Sequence, residues 1–334
     1  MADSLNLLKK LTLTRAWNLV KIFTGFYVSR LSRRAKVWGV PFSVTIEPTN
    51  LCNLKCPECP TGIGALTRPT GVMALSSFRR ILDGLPREVF YAQLFFQGEP
   101  FLNKDLLEMV RYARARNMYV SISTNAHFLD VDTCRSLVAS GLERLIISLD
   151  GMTGDSYSRY RVNGNLHKVL EGLALLDREK HAARSRNPRI ILQYLVTKYN
   201  EHEIPELKRL AKKHGATAVL KTMQVSSLEN ATAFLPENPN YTRYERTNGT
   251  LRTRATLHNY CGRLWDQCVI TWDGRIVPCC FDKDAAYSPG SLEKDAFHDL
   301  WRSPGYQDFR NSVLKNRKKI PMCQNCTEGL KVYR

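Results

Sequence analysis

The chain has 334 residues, 43% of them hydrophobic, enough for one large domain and a smaller one. Its formal net charge of +18 favours an anionic partner: nucleic acid, an anionic membrane surface or an acidic substrate. Its ten cysteines fall mostly into two local clusters, which excludes a small secreted disulfide scaffold and favours metal or iron–sulfur ligation in a reducing compartment.

Residues 4–36 are expected to form one helix. Leu5, Leu8, Thr12, Ala16, Leu19, Phe23 and Phe26 recur at steps of three and four, with Lys10, Thr14, Lys21 and Gly25 on the other side and Leu7 and Leu13 off the stripe. No acidic residue occurs from Ser4 to Ile46, and residues 1–37 carry eight Lys or Arg against Asp3 alone, a balance of +7. Such a helix, with Trp17 and Tyr27 as amphipathic side chains, suits the surface of an anionic membrane; the alternative is that its stripe packs on the following domain. No stretch is apolar enough to span a bilayer and no secretory cleavage signal follows the first apolar run. The expected location is therefore cytoplasmic, with a peripheral place on the inner face of the membrane if the helix binds lipid.

After this segment, residues 1–40, strands and helices alternate through residues 41–225. The expected strands are Ser43–Glu47, Tyr91–Phe96, Met118–Ser123, Arg144–Leu149, Arg189–Val196 and Thr217–Thr222, with helices at Leu75–Leu85, Lys104–Arg116 and His202–His214 among those between them. Alternation of this kind makes an α/β fold of parallel strands with helical crossovers. Six units are too few for a closed eight-fold barrel and suit a partial (β/α)6 barrel with its sites at the carboxyl ends of the strands. Residues 226–258 are polar, contain Pro236 and Pro239, and read as a weakly structured linker. Residues 259–334 form a small cysteine-rich tail domain.

The first cysteine run is Glu47-Pro-Thr-Asn-Leu-Cys52-Asn-Leu-Lys-Cys56-Pro-Glu-Cys59-Pro, where the first strand ends. Three thiolates on one loop can ligate three irons of a cubane and leave the fourth open. A zinc knuckle or ferredoxin-like carrier would want a fourth ligand nearby, and the next cysteine is Cys134, in a helical stretch that suits a buried structural thiol. At these residues the chain resembles the radical S-adenosylmethionine (SAM) superfamily, over residues 43–225 and on into the tail. The resemblance implies a catalytic [4Fe–4S] cluster on Cys52, Cys56 and Cys59. Its open iron would chelate SAM, which an external reductant such as flavodoxin or ferredoxin helps to cleave to methionine and a 5′-deoxyadenosyl radical. Many members place an aromatic residue where this chain has Glu58. Phe96-Gln-Gly98-Glu99-Pro100 resembles the family's GGEP motif with Gln97 in place of the first glycine, so Gly98, Glu99 and Pro100 are implied to receive the SAM ammonium group. Ser123 and Asn125, ending the third strand, Ser148, ending the fourth, Arg161 as a carboxylate partner and Gln193 on the fifth strand are implied SAM contacts.

The tail reads Cys261…Cys268…Trp272-Asp-Gly274-Arg-Ile-Val-Pro-Cys279-Cys280…Cys323-Gln-Asn-Cys326. Asp273-Gly274 between two apolar runs reads as a hairpin turn. A structural zinc ribbon uses similar spacings. The tail also resembles the SPASM and twitch domains, which bind auxiliary iron–sulfur clusters. Because the chain ends eight residues after Cys326, the shorter twitch type with a second, auxiliary [4Fe–4S] cluster is expected. Its implied ligands are Cys261, Cys279, Cys323 and Cys326, with Cys268 competing for the place of Cys261 and Cys280 left aside. The expected activity is hydrogen-atom abstraction from a peptide, small-molecule or lipid substrate, leading to oxidation, crosslinking or rearrangement. An RNA-modifying enzyme and a non-catalytic iron–sulfur electron-transfer or scaffold protein are the rivals; nucleic acid is the less favoured partner, because no RNA-binding module is recognisable.

Overall fold

A computed structural model of the chain describes residues 6–247, 249–254 and 256–327. In chain order its principal elements are α1 (Leu13–Ser32), β1 (Ser43–Ile46), α2 (Leu75–Gly84), β2 (Tyr91–Leu94), α3 (Leu106–Ala115), β3 (Tyr119–Thr124), α4 (Val131–Ala139) and β4 (Arg144–Ser148). There follow α5 (Gly154–Tyr160), α6 (Leu166–Ala182), β5 (Arg189–Val196), α7 (Ile204–Lys213), β6 (Thr217–Thr222), α8 (Leu228–Phe234), β7 (Tyr244–Thr247) and β8 (Thr250–Thr253). The tail adds α9 (Arg263–Asp266), β9 (Gln267–Ile270), β10 (Arg275–Val277), β11 (Gly290–Ser291), α10 (Phe297–Trp301), α11 (Pro304–Asn316) and α12 (Pro321–Gln324). All six expected strands of the barrel region form, each within two residues of its expected ends. The described residues fall into two compact units: the first draws on residues 6–51, 66–120 and 256–327, the second on 52–65, 121–247 and 249–254.

In the first unit β1 pairs in parallel with β2, Val44 opposite Ala92. Its other edge takes β9 of the tail, also parallel, with Val44 opposite Cys268. β10 returns antiparallel to β9 through the Asp273-Gly274 turn, where Gly274 has φ 78°, as the Asp-Gly signal requires. All four residues of β1 are buried, the mark of a parallel strand covered on both faces. The tail is thus an extension of the first unit's sheet. In the second unit β4 pairs in parallel with β3 and β5, and β5 with β6. Along β5 burial alternates, so Ile190, Leu192, Tyr194 and Val196 enter the core.

Two expectations are corrected. The single helix expected over residues 4–36 is interrupted: α1 starts at Leu13, where the Thr12 hydroxyl accepts from the Arg15 N–H at 3.3 Å, and stops before Arg33, which turns to φ 53°. Ser4 and Leu5 lie outside the described residues. The buried face of α1 is Arg15, Asn18, Ile22, Gly25 and Ser29, whereas Leu8 and Phe23 of the expected stripe are exposed. Polar residues can line this face because backbone groups meet them. Arg15 donates to the carbonyls of Lys10, Arg87 and Asn117, and Asn18 exchanges hydrogen bonds with both backbone groups of Val40. Ile22, Leu19 and Phe26 do join the apolar cluster of Leu264, Trp265, Phe309 and Val313. Among the described residues no helix is long and apolar enough to cross a membrane.

Residues 226–258, expected as a linker, carry α8 and an antiparallel β7–β8 hairpin. Ser227 caps α8 by accepting from the Asn230 N–H at 3.1 Å, and the buried Tyr244 hydroxyl accepts from the Val225 N–H at 3.1 Å. Pro236 and Pro239 stand in the joint between helix and hairpin.

Candidate active site and a second cysteine cluster

In the second unit the cysteine loop folds back on itself. The Cys59 N–H donates to the Cys56 carbonyl at 3.1 Å, and the Leu54 N–H points at the Cys52 sulfur at 3.4 Å. Gly62 closes the loop: a Cβ there would stand 2.6 Å from the Cys56 backbone N and O, so no larger residue fits. Cys56 is buried, and Cys52 and Cys59 are half-buried against Leu54, Tyr160, Met223 and Val225. Burial pushes the Cys56 thiol up to about 11 against the pull of Arg161. A thiolate held there needs a metal or a cation beside it.

Arg161 supplies a cation. Its Nη1 lies 3.7 Å from the Cys56 sulfur, while Nε and Nη2 each approach Asp150 Oδ2 at 2.6 Å. Asp150 also accepts from the Leu195 N–H at 2.7 Å, and its carbonyl takes the Asn200 amide at 2.9 Å. Arg161, implied above as the partner of the SAM carboxylate, therefore has Asp150 as a protein partner. Asn125 ties the end of β3 to the loop, donating to Asn53 Oδ1 at 2.7 Å, and its own Oδ1 accepts from the His127 N–H at 3.1 Å. His127 Nε2 accepts from the Asn165 N–H at 2.8 Å, so the neutral ring carries its proton on Nδ1, toward Asn125. Burial holds the His127 pKa below its ordinary value. Ser123 is half-buried on β3, and Ser148 ends β4 opposite Gln193. Asp150, Asn53 and His127 were given no role by the sequence; Asp150 stands two residues after Ser148, the nearest signal to it.

Gly98, Glu99 and Pro100 belong to the first unit. Gly98 has φ 75°, and a Cβ would stand 2.4 Å from the Leu51 carbonyl oxygen. The Glu99 N–H donates to that carbonyl at 2.7 Å, and Pro100 opens a short 3-10 turn capped by the Glu99 carboxylate, which accepts from the Phe101 N–H at 3.1 Å. Beneath this turn lies an ion pair that sequence reasoning missed. Arg68 grips Glu47 with Nη1 at 2.7 Å and Nη2 at 2.5 Å, both side chains fully buried. Glu47 also accepts from the Gln97 and Trp272 N–H groups, and Arg68 Nε donates to the Lys283 carbonyl at 2.6 Å. One pair thereby joins the end of β1, the segment before Gly98 and the tail hairpin.

The tail cysteines also lie in the first unit. Cys261, Cys279, Cys280, Cys323 and Cys326 line one cavity with Arg263, Gln267, Arg317 and apolar residues. Cys268 is not among them: it sits fully buried in the middle of β9, its thiol pushed up to about 12 by burial. Burial pushes Cys261 up to about 11 and Cys279 well above the ordinary thiol range. Arg317 opposes this at Cys261 from within the cluster, with Nη2 3.5 Å from the Cys326 sulfur and Nη1 donating to the Tyr260 carbonyl at 3.0 Å. Cys134 is buried, as expected, its thiol up to about 12. Among the described residues, no three His, Cys, Asp or Glu side chains are gathered closely enough for a single metal ion; the thiolates of a cubane lie on different irons. Both donor sets, thiols in largely apolar surroundings with a guanidinium close to one sulfur, suit an iron–sulfur cluster.

Residues 46–211 match the model of the radical SAM superfamily, and residues 261–327 that of the SPASM iron–sulfur cluster-binding domain. The chain belongs to the radical SAM superfamily. It is a radical SAM enzyme, whose cofactors are a [4Fe–4S] cluster and SAM, with auxiliary iron–sulfur binding in the SPASM domain. A tungsten-containing aldehyde ferredoxin oxidoreductase cofactor-modifying protein of Pyrococcus furiosus is 25% identical over 323 residues, covering 84% of this chain and 86% of the relative. A PqqA peptide cyclase of Rhodopseudomonas palustris is 26% identical over 266 residues, covering 73% and 68%. The solved structure of Streptococcus suis SuiB bound to precursor peptide SuiA has a TM-score of 0.63 at 15% identity, covering 90% of this chain and 72% of that one, and shares the fold. The expected fold, a partial (β/α)6 radical SAM barrel with a cysteine-rich auxiliary domain, is the one found.

Proposed function

We propose that the protein modifies a peptide by radical chemistry, with Cys52, Cys56 and Cys59 holding the catalytic cluster. The loop geometry carries this reading: three thiols on one self-closed turn, the buried one facing the Arg161–Asp150 pair. When bound, the cluster supplies one electron, taken from flavodoxin or ferredoxin, to split SAM into methionine and a 5′-deoxyadenosyl radical that takes a hydrogen atom from an unactivated C–H bond. Gly98, Glu99, Pro100, Ser123, Ser148 and Arg161 are the proposed SAM contacts, and Asn125 fixes the loop that holds the thiols. Cys261, Cys279, Cys323 and Cys326 are the proposed ligands of one auxiliary [4Fe–4S] cluster, which the common cavity supports for Cys261 over Cys268.

The peptide class rests on the likeness to a PqqA peptide cyclase. The test is anaerobic incubation of the reduced enzyme with SAM and a panel of deuterated peptides and small cofactor precursors. Deuterium in 5′-deoxyadenosine from a peptide supports the reading. Label from a cofactor precursor alone would move the substrate class to that of the Pyrococcus furiosus relative.

A further inference from the structure

The face of α1 turned away from the core carries apolar side chains. Leu13, Trp17, Val20, Tyr27 and Leu31, spaced by four, three, seven and four residues, form one line along the helix, opposite the buried Ile22 line. Leu13 is 92% exposed, Trp17 61% and Leu31 85%. An exposed apolar stripe on a basic helix, interrupted at the polar Thr24, marks an interaction surface. Lys21 and Arg30 flank the stripe on opposite sides at helical spacing, Arg30 with its guanidinium 4.2 Å from the Tyr260 ring. Just past Leu31, the residues Arg33, Arg34, Lys36 and Lys315 line a cleft of about 520 Å³ with Ala35 and Asn311, none of them acidic.

We propose that this stripe and cleft form a docking surface for an anionic phospholipid membrane. The helix lies in the plane of the interface, its outer leucines and Val20 at the acyl boundary and Trp17 and Tyr27 at headgroup level, where amphipathic rings settle. Lys21, Arg30 and the cleft of Arg33, Arg34 and Lys36 meet lipid phosphates. A second copy of the chain is a poor occupant, because it would bring two basic borders with no acidic residue from Ser4 to Ile46 against each other. The polar pins of the buried face, Arg15 and Asn18, hold α1 to its own unit, so docking needs no helix release.

The full-length, cluster-loaded protein is mixed with vesicles of phosphatidylglycerol and phosphatidylcholine, or of phosphatidylcholine alone, and sedimented at low and high salt. Partition onto the anionic vesicles at least tenfold above the neutral ones, falling with salt, is expected. The exposed-site variant Leu13→Ser/Trp17→Ser/Leu31→Ser should lose more than tenfold of this, and Arg33→Gln/Arg34→Gln several-fold, with Tm and SAM cleavage unchanged in both. Equal binding to neutral vesicles, unchanged binding of the serine variant, or a wild-type protein that ignores both vesicle types would each overturn the proposal. A wild-type dimer that the serine variant makes monomeric, with no vesicle binding by either, would assign the face to a second copy instead.

Discussion

Replacing Arg68 with Met leaves the Glu47 carboxylate buried without its cation. Arg68 gives Glu47 two hydrogen bonds and the Lys283 carbonyl a third; in the variant Glu47 keeps only the N–H groups of Gln97 and Trp272. Breaking a buried pair from one side costs about 3–5 kcal/mol, which on a unit of this size lowers Tm by on the order of 10 °C. Burial already raises the Glu47 pKa while Arg68 and the backbone N–H groups pull it back, so removing Arg68 raises it further. A carboxylate with a raised folded pKa contributes stability that is present at low pH and lost as pH climbs through that value. The deficit of Arg68→Met should therefore shrink from pH 7.5 to pH 5.5 in anaerobic thermal melts. Adding Glu47→Gln should restore part of the loss, since the orphaned charge is then gone. A deficit that stays constant or grows toward pH 5.5, or a double variant as poor as the sum of the two singles, would refute the uncompensated-charge account.

Arg161→Ala strips Asp150 of its cation and Cys56 of its neighbour, so both iron retention at the first site and SAM affinity should fall, the latter by about 1.5–3 kcal/mol if the contact is direct; full iron with unchanged SAM binding would return Arg161 to a purely structural role. Iron analysis should show that Cys261→Ala loses the auxiliary iron and Cys268→Ala keeps it, and the reverse order would move the ligand to β9. Asp266 has its pKa raised to about 6 by burial, so its contribution to stability is fully present below about 4 and lost as pH rises through about 6. Asp266→Asn should accordingly stabilise the chain by about 1–3 kcal/mol at pH 8 and by little at pH 4.5, and melts that show no gain at pH 8 would contradict this.

Legibility in the sequence followed the range of the interactions. Ser43–Ile46 was readable because a parallel strand buried on both faces becomes a short β-branched run between turns, and Arg189–Val196 because every second residue of it enters the core. The cysteine runs were readable because spacing on one loop is a local property. The orientation of α1 was not: its buried face is built from Arg15, Asn18, Gly25 and Ser29, whose fitness depends on backbone groups of distant residues such as Arg87 and Val40. The polar makeup of residues 226–258 hid α8 and the β7–β8 hairpin for a similar reason, since Ser227 and Tyr244 spend their polar atoms on backbone N–H groups. Arg161 was singled out, but its pairing with Asp150 needed the fold, as did the Glu47–Arg68 pair and the placement of β9 beside β1. Only the fold separated Cys261 from Cys268, by putting one thiol in a shared cavity and the other inside a strand.

The central claim is that Cys52, Cys56 and Cys59 hold the cluster that cleaves SAM. The most direct measurement compares the wild type with a Cys52→Ala/Cys56→Ala/Cys59→Ala variant, both reconstituted without oxygen, for iron content and for 5′-deoxyadenosine formed from SAM under dithionite. The variant should lack about four irons, retain the iron of the tail and form no 5′-deoxyadenosine. A variant that still produces 5′-deoxyadenosine, or a wild type with full iron that produces none, would contradict the assignment.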